Sequence, residues 1–90
     1  MFLATTTVED FDRWMRIFST TSAEKRKAHG SKGSLVFRDP QQADRVWVIF
    51  DWDEKGFQNF ATDPEVAPIL KAAGHTSRPV TLAIAATLGA

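Results

Sequence analysis

His75 is the side chain in this sequence best suited to acid–base chemistry. It follows Gly74 in the segment GHTSRP, which reads as a loop, and loops held by a rigid sheet commonly carry function. Because histidine titrates near neutral pH, we predict His75 as a catalytic general base, with an ordinary solvated loop histidine as the alternative. His29 follows three basic residues at a predicted helix end, where a histidine suits the helix dipole.

Aromatic residues predict a pocket beside this histidine. Three tryptophans and seven phenylalanines occur in 90 residues, and they fall on a helical stripe and on both sides of a strand-to-helix junction. Gly56, Pro64 and Pro68 interrupt the helical segment that follows, so it should cover the sheet loosely and leave space. Plain core packing is the alternative. The predicted ligand-binding residues are Trp14, Phe18, Trp52, Phe60, Arg78 and Ala83.

Other catalytic arrangements are absent from the sequence. There is no cysteine, no Gly-x-Ser-x-Gly elbow and no phosphate-binding glycine loop, and the two histidines form no recognisable metal motif. Arg38 and Asp51 fall on neighbouring predicted strands, where a structural ion pair is favoured over an acid–base couple. We therefore predict neither a metal nor a cofactor.

The first half of the chain predicts a strand, a long helix and two further strands. MFLATT is apolar and suits a strand, and Thr7 is a plausible N-cap for one helix running through VEDFDRWMRIFSTTSAEKRKAH to Gly30. SLVFR and RVWVIFDW then read as strands joined by a proline turn.

The second half predicts a jointed helical region and a last strand. Asp53 can cap a short helix, Asp63 can cap another with Pro64 at its first position, and Pro68 should begin a further segment that Gly74 ends. PVTLAIAATL closes the chain as a strand.

This order, β-α-β-β-α-β, predicts an α+β, ferredoxin-like fold with a four-stranded antiparallel sheet and helices on one face. RVWVIF is apolar on both of its strand faces, with Trp47 and Ile49 opposite Val46 and Val48. Since helices cover only one face, we expect a second copy of the chain to cover the other, giving a homodimer of paired sheets.

Size and charge limit the function classes. Ninety residues correspond to one domain, 1–90, whose own core is small. Eleven basic and eleven acidic residues cancel, which argues against a nucleic-acid or anionic-membrane surface. No apolar stretch approaches the roughly 20 residues of a membrane span, and we expect a soluble, cytoplasmic protein.

The quoted segments, in their order and spacing, resemble the dimeric α+β barrel superfamily, and most of all its antibiotic biosynthesis monooxygenase-like and polyketide cyclase-like small domains. RDPQQADRV, FDWDE and DPEV carry much of this resemblance. The resemblance implies sheets paired into a barrel and a ligand cleft between sheet and helices in each subunit. The chain departs from the pattern because it has no tyrosine and because Pro68 interrupts the last helix.

Two function classes follow. The first is a cofactor-independent monooxygenase or cyclase that excludes water and orients a hydrophobic aromatic molecule whose own anion reacts. The second is a non-catalytic, dimeric binding or accessory domain with the same cleft. An open cavity with His75 on its wall would favour the first, and a cleft filled by the protein's own aromatic side chains would favour the second.

Overall fold

Four antiparallel strands form one sheet in the order β2-β3-β1-β4, so the first and third strands are central. The computed structural model describes residues 1–90. The predicted α+β, ferredoxin-like order of elements is confirmed. The strands are β1 (Phe2–Thr7), β2 (Gly33–Arg38), β3 (Arg45–Asp51) and β4 (Val80–Ala83).

The helices form two pairs that pack on the same face of the sheet. Inward-facing residues of β1 and β3 form a buried core with Trp14, Phe60 and Val66 from the helical layer. None of these helices is long and apolar enough to span a membrane. They are α1 (Phe11–Phe18), α2 (Thr21–Ala28), α3 (Glu54–Thr62) and α4 (Ala67–Ala73).

The prediction of one long first helix is wrong, because it breaks between α1 and α2. The hydroxyls of Ser19 and Thr20 both donate to the carbonyl of Arg16, at 3.3 and 2.6 Å. Such bonds compete with the regular helical pattern, and the segment STTS has little helix propensity to oppose them. The first helical region therefore consists of two helices of eight residues each.

The predicted N-cap at Thr7 is also wrong. Thr7 is the last residue of β1, and the cap is Asp10, whose carboxylate accepts a hydrogen bond from the Arg13 amide at 3.1 Å. Thr7 cannot serve because its backbone and hydroxyl bond the loop that precedes β4.

The jointed second helical region is confirmed, although one of its predicted boundaries is wrong. Asp53 caps α3 through a bond from the Gly56 amide, and Gly74 ends α4 in the left-handed conformation at φ 78°. Asp63 does not begin a helix with Pro64. It closes α3, and α4 begins four residues later at Ala67.

The last strand is shorter than predicted. In the pairing of β4 with β1, Ala83 lies opposite Phe2, where β1 begins, so residues after Ala83 have no strand to pair with. The predicted pair of Arg38 and Asp51 is likewise wrong. Arg38 lies opposite Val46 and Asp51 opposite Gly33, at opposite ends of the β2–β3 ladder.

The face of the sheet away from the helices, here called the open face, is largely apolar. One row across the four strands consists of Leu35, Ile49, Leu3 and Leu82, and the next consists of Phe37, Trp47, Thr5 and Val80. Leu35, Phe37, Val80 and Leu82 are between 50% and 60% exposed. An apolar surface of this extent is typical of an interface.

Candidate functional site

A cavity of about 600 Å³ lies between the helical layer and the sheet, and 14 of its 23 lining residues are apolar. Ala4, Val48 and Phe50 form part of its sheet side, while Trp14 and Phe60 border it from the helices. Its size is within the usual range for small-molecule sites, and its lining would exclude most water from a bound ligand.

Six of the seven predicted site residues border this cavity. They are Trp14, Phe18, Trp52, Phe60, His75 and Arg78. Ala83 does not, and Thr81 takes its place. The reason lies in the strand pairing: Ala83 is next to Phe2, whose large ring is buried, whereas Thr81 is next to Ala4, whose small side chain leaves room.

Contacts between rings hold the aromatic walls in place. Trp14 and Phe18 stack at 4.6 Å between centroids, and Trp52 meets Phe60 edge-on at 5.3 Å. The Trp52 indole also donates to the carbonyl of His29 at 2.9 Å. These rings line the cavity without closing it, so the aromatic residues serve both as core and as lining.

The close packing around Trp52 requires a glycine in α3. A Cβ on Gly56 would lie 2.5 Å from the Trp52 Nε1 and 2.5 Å from the His29 carbonyl oxygen. Glycine is a weaker helix former than alanine, but at position 56 it lets α3 approach Trp52, the tryptophan that lines the cavity.

His75 is half-buried on the cavity wall, at the end of α4. Its Nδ1 lies 3.3 Å from the hydroxyl oxygen of Thr6 on β1. That hydroxyl also lies within bonding distance of the Ser77 carbonyl oxygen, at 3.2 Å, to which it can only donate. When it does, it accepts from Nδ1–H, so Nε2 of the neutral ring is free to take a proton. Burial lowers the pKa of His75 below its usual value, which keeps the ring neutral at pH 7.

A set of hydroxyl contacts fixes the loop that carries His75. The Ser77 hydroxyl oxygen accepts from the Thr7 amide at 3.0 Å and from the Thr7 hydroxyl at 2.7 Å, and the Thr76 amide donates to the Thr7 carbonyl at 2.9 Å. Sequence reasoning did not identify these positioning residues. The run Thr5-Thr6-Thr7 beside a strand end was the available signal.

Sequence reasoning also missed Arg26, a basic residue that borders the cavity from α2. It is only 6% exposed, its guanidinium carbon lies 3.7 Å from the centroid of the Phe18 ring, and it donates to the Phe18 carbonyl at 2.8 Å. Burial lowers its pKa to about 10, so it remains charged at neutral pH. In the sequence it lies within the basic run Lys25-Arg26-Lys27 at a predicted helix end, where the local composition does not mark it as buried.

His29 does not border the cavity and instead makes a structural contact. Its Nε2 lies 3.0 Å from a carboxylate oxygen of Asp63, which links the end of α2 to the end of α3. This hydrogen bond lowers the pKa of Asp63. No group of three or more histidine, aspartate or glutamate side chains is arranged to hold a metal ion.

The fold is that of the antibiotic biosynthesis monooxygenase-like proteins, so the resemblance seen in the sequence is confirmed at the level of the fold. The chain matches the crystal structure of SnoaB, a cofactor-independent oxygenase from Streptomyces nogalater, with a TM-score of 0.73 at 22% sequence identity, over 97% of this chain and 93% of that one.

Two crystal structures described as antibiotic biosynthesis monooxygenases also match this chain, each at 13% sequence identity. The one from Caulobacter crescentus has a TM-score of 0.72 and covers 97% of this chain and 88% of its own, and the one from Deinococcus radiodurans has a TM-score of 0.68 and covers 100% and 98%. No protein-family model and no curated protein matches the sequence. At these identities the likeness establishes the fold, and the activity has to be argued from the site.

Proposed function

We propose that this chain is a cofactor-independent monooxygenase that oxidises a hydrophobic aromatic small molecule in the cavity. The observation that carries the proposal is the open cavity of about 600 Å³, which His75, Trp52 and Phe60 border together. A solved structure with the same fold is described as a cofactor-independent oxygenase, which supports the same class of chemistry here.

The proposed reaction needs one base and a dry pocket. Nε2 of neutral His75 takes a proton from an acidic ring carbon of the substrate, such as the methylene of an anthrone, and leaves a delocalised carbanion. The carbanion passes an electron to O2, and the two radicals combine to a peroxide. The peroxide anion takes the proton back from His75, and the resulting hydroperoxide loses water, so one oxygen atom remains as a carbonyl and the other leaves as H2O. The protein supplies orientation and exclusion of water, while the substrate supplies the electrons.

The proposal includes a homodimer formed through the open face. Leu35, Phe37, Val80 and Leu82 are each at least half exposed there, and pairing two such faces would remove them from water. The cavity lies on the other side of the sheet, so this pairing leaves it free for the ligand. A cytoplasmic location is part of the same proposal.

Dithranol, a 1,8-dihydroxyanthrone, is a suitable probe for this activity. We expect the purified protein, with a chelator present and no flavin added, to consume one O2 for each anthraquinone formed, well above the rate without protein. His75→Gln should bind dithranol and lose most of the added rate, because an amide cannot take the proton. Dithranol oxidation at the uncatalysed rate would contradict the oxygenase proposal.

The non-catalytic alternative has a distinct outcome in the same experiment. Saturable quenching of the cavity tryptophans by dithranol, without O2 uptake above the uncatalysed rate, would favour a dimeric ligand-binding domain.

A further inference from the structure

We infer that the ligand of this cavity is an aromatic molecule carrying an anionic oxygen, a carboxylate or an ionised phenol, that pairs with Arg26. The inference rests on the proposed function in taking the cavity as the ligand site, and it goes beyond that function by naming the charge of the ligand.

Arg26 is a buried charge without an acidic partner. The three ion pairs of the chain join Arg13 to Glu9, Lys25 to Glu65 and His29 to Asp63, and none involves Arg26. A buried charge is costly to the fold unless an opposite charge compensates it. Only neutral groups of the chain contact Arg26, so a bound anion would supply the missing opposite charge.

The bonds that Arg26 makes leave most of its donors free. Nη1 donates to the Ser22 hydroxyl oxygen at 2.9 Å and Nη2 donates to the Phe18 carbonyl oxygen at 2.8 Å. A guanidinium has five N–H donors, so three remain for a ligand. These two bonds also hold the group in a fixed orientation, which lowers the entropy lost on binding.

Ser22 adds a second donor beside Arg26. This residue is 4% exposed and borders the same cavity, and its hydroxyl accepts from Arg26 but donates to no group of the protein. Arg26 and Ser22 lie one helical turn apart on α2, so the guanidinium and the free hydroxyl proton can both donate to a carboxylate or phenolate oxygen.

The charge of the whole lining points the same way. Arg26, Lys71 and Arg78 border the cavity, and no aspartate or glutamate does, in a chain whose acidic and basic residues are equal in number. A lining with basic and no acidic side chains favours an anion over a neutral or cationic ligand of the same shape.

The test compares three anthracene derivatives of matched shape: anthracene-2-carboxylate, 2-hydroxyanthracene and the neutral anthracene-2-carboxamide. Their dissociation constants are measured by fluorescence titration at pH 7.5. We expect the carboxylate to bind at least about tenfold more tightly than the amide, as a charge-assisted hydrogen bond would provide. A phenol that matches the carboxylate at pH 9.5 but not at pH 7.5 would identify ionised phenols as equally good ligands.

Variants at two basic positions locate the anion. Arg26→Met should remove the preference for the carboxylate and leave amide binding within about twofold, whereas Arg26→Lys should keep part of the preference. Lys32→Met is the control, because Lys32 borders a second, shallower cleft that Arg26 also touches and does not border the main cavity. This control should bind all three compounds as the native protein does.

The outcomes separate this inference from the proposed function. Equal affinity for carboxylate and amide in the native protein would overturn the inference and leave the cavity as a ligand site. A preference that survives Arg26→Met, or is lost in Lys32→Met, would overturn it as well, because the anion would then lie elsewhere. Failure of all three compounds to bind would overturn both. If Arg26→Met does not fold, the native comparison and Arg26→Lys still decide the matter.

Discussion

The Thr6 hydroxyl lies 3.3 Å from Nδ1 of His75 and so connects the central strand to the histidine on the cavity wall. We expect Thr6→Val to reduce the oxidation rate of dithranol by about tenfold, the effect of a lost neutral hydrogen bond, with little change in affinity. Steady-state kinetics would show the effect in kcat rather than KM. Thr62→Val is the control, since that exposed hydroxyl bonds only its own helix. An unchanged kcat in Thr6→Val would exclude a positioning role.

The lowered pKa of His75 predicts how rate and stability depend on pH. The oxidation rate should rise with pH through a pKa below 6.5 and be flat above pH 7, because the neutral ring is the base. The unfolded chain binds this proton more readily than the folded one, so the free energy of unfolding should fall as pH decreases below about 6.5. NMR titration of the ring and urea denaturation would measure the two effects. A rate that decreases as the pH rises from 5 to 7 would contradict the assignment of His75 as the base.

Filling the cavity from the sheet should block binding. Ala4→Leu places a larger side chain on the cavity floor, and we expect quenching of tryptophan fluorescence by dithranol to weaken at least about tenfold while the protein stays folded. Ala83→Leu is a matched control on the neighbouring strand, at a position that does not border the cavity. Equal quenching in both variants would show that dithranol binds outside this space.

Gly56→Ala should destabilise the protein although alanine is the better helix former. The added methyl group would meet the Trp52 indole and a backbone carbonyl oxygen, each at 2.5 Å. We expect a loss of about 1–3 kcal/mol in the free energy of unfolding, measured by urea denaturation. Gly89→Ala is the control, because a Cβ there meets nothing within 4 Å. Stability equal to that of the native protein would mean that α3 shifts without cost.

The open face predicts the oligomeric state. Light scattering at micromolar concentration should give about twice the mass of one chain. Trp47→Asp should give monomer or insoluble protein, because a carboxylate buried between two apolar sheets is costly. Lys55→Asp, an exposed position on α3, should leave the mass unchanged. A Trp47→Asp variant that keeps the native mass and solubility would place the interface on another surface.

Strong local patterns in the sequence predicted most of the fold. The alternation of RVWVIF, the cap at Asp53 and the stop at Gly74 each act within a few residues, and the structure confirms them. The errors arose where a distant contact decides the local conformation. Thr7 has the right chemistry for a cap, but its hydroxyl accepts from Thr76 and donates to Ser77 in the loop before β4, and no pattern near Thr7 reveals those contacts.

The cavity lining was predictable to the extent that it is aromatic. Trp14, Phe18, Trp52 and Phe60 stand out by residue type and spacing, whereas Arg26 and Ser22 have the composition of a solvated helix. Ala83 was misplaced because the choice between it and Thr81 depends on which residue of β1 lies opposite, and strand register cannot be read from a run of small residues.

Because β3 is apolar on both faces, hydrophobicity alone does not specify its alignment. A slip of one residue would exchange Val46 and Val48 for Trp47 and Ile49 at little cost in buried apolar area. Two polar contacts belong to the native alignment and favour it over the shifted one. The Trp47 indole donates to Asp39 at 3.0 Å, and the Thr5 hydroxyl donates to the Val46 carbonyl at 3.0 Å. We expect loss of these bonds to make the shifted register more accessible during folding and to favour aggregation, even where the native state keeps most of its stability.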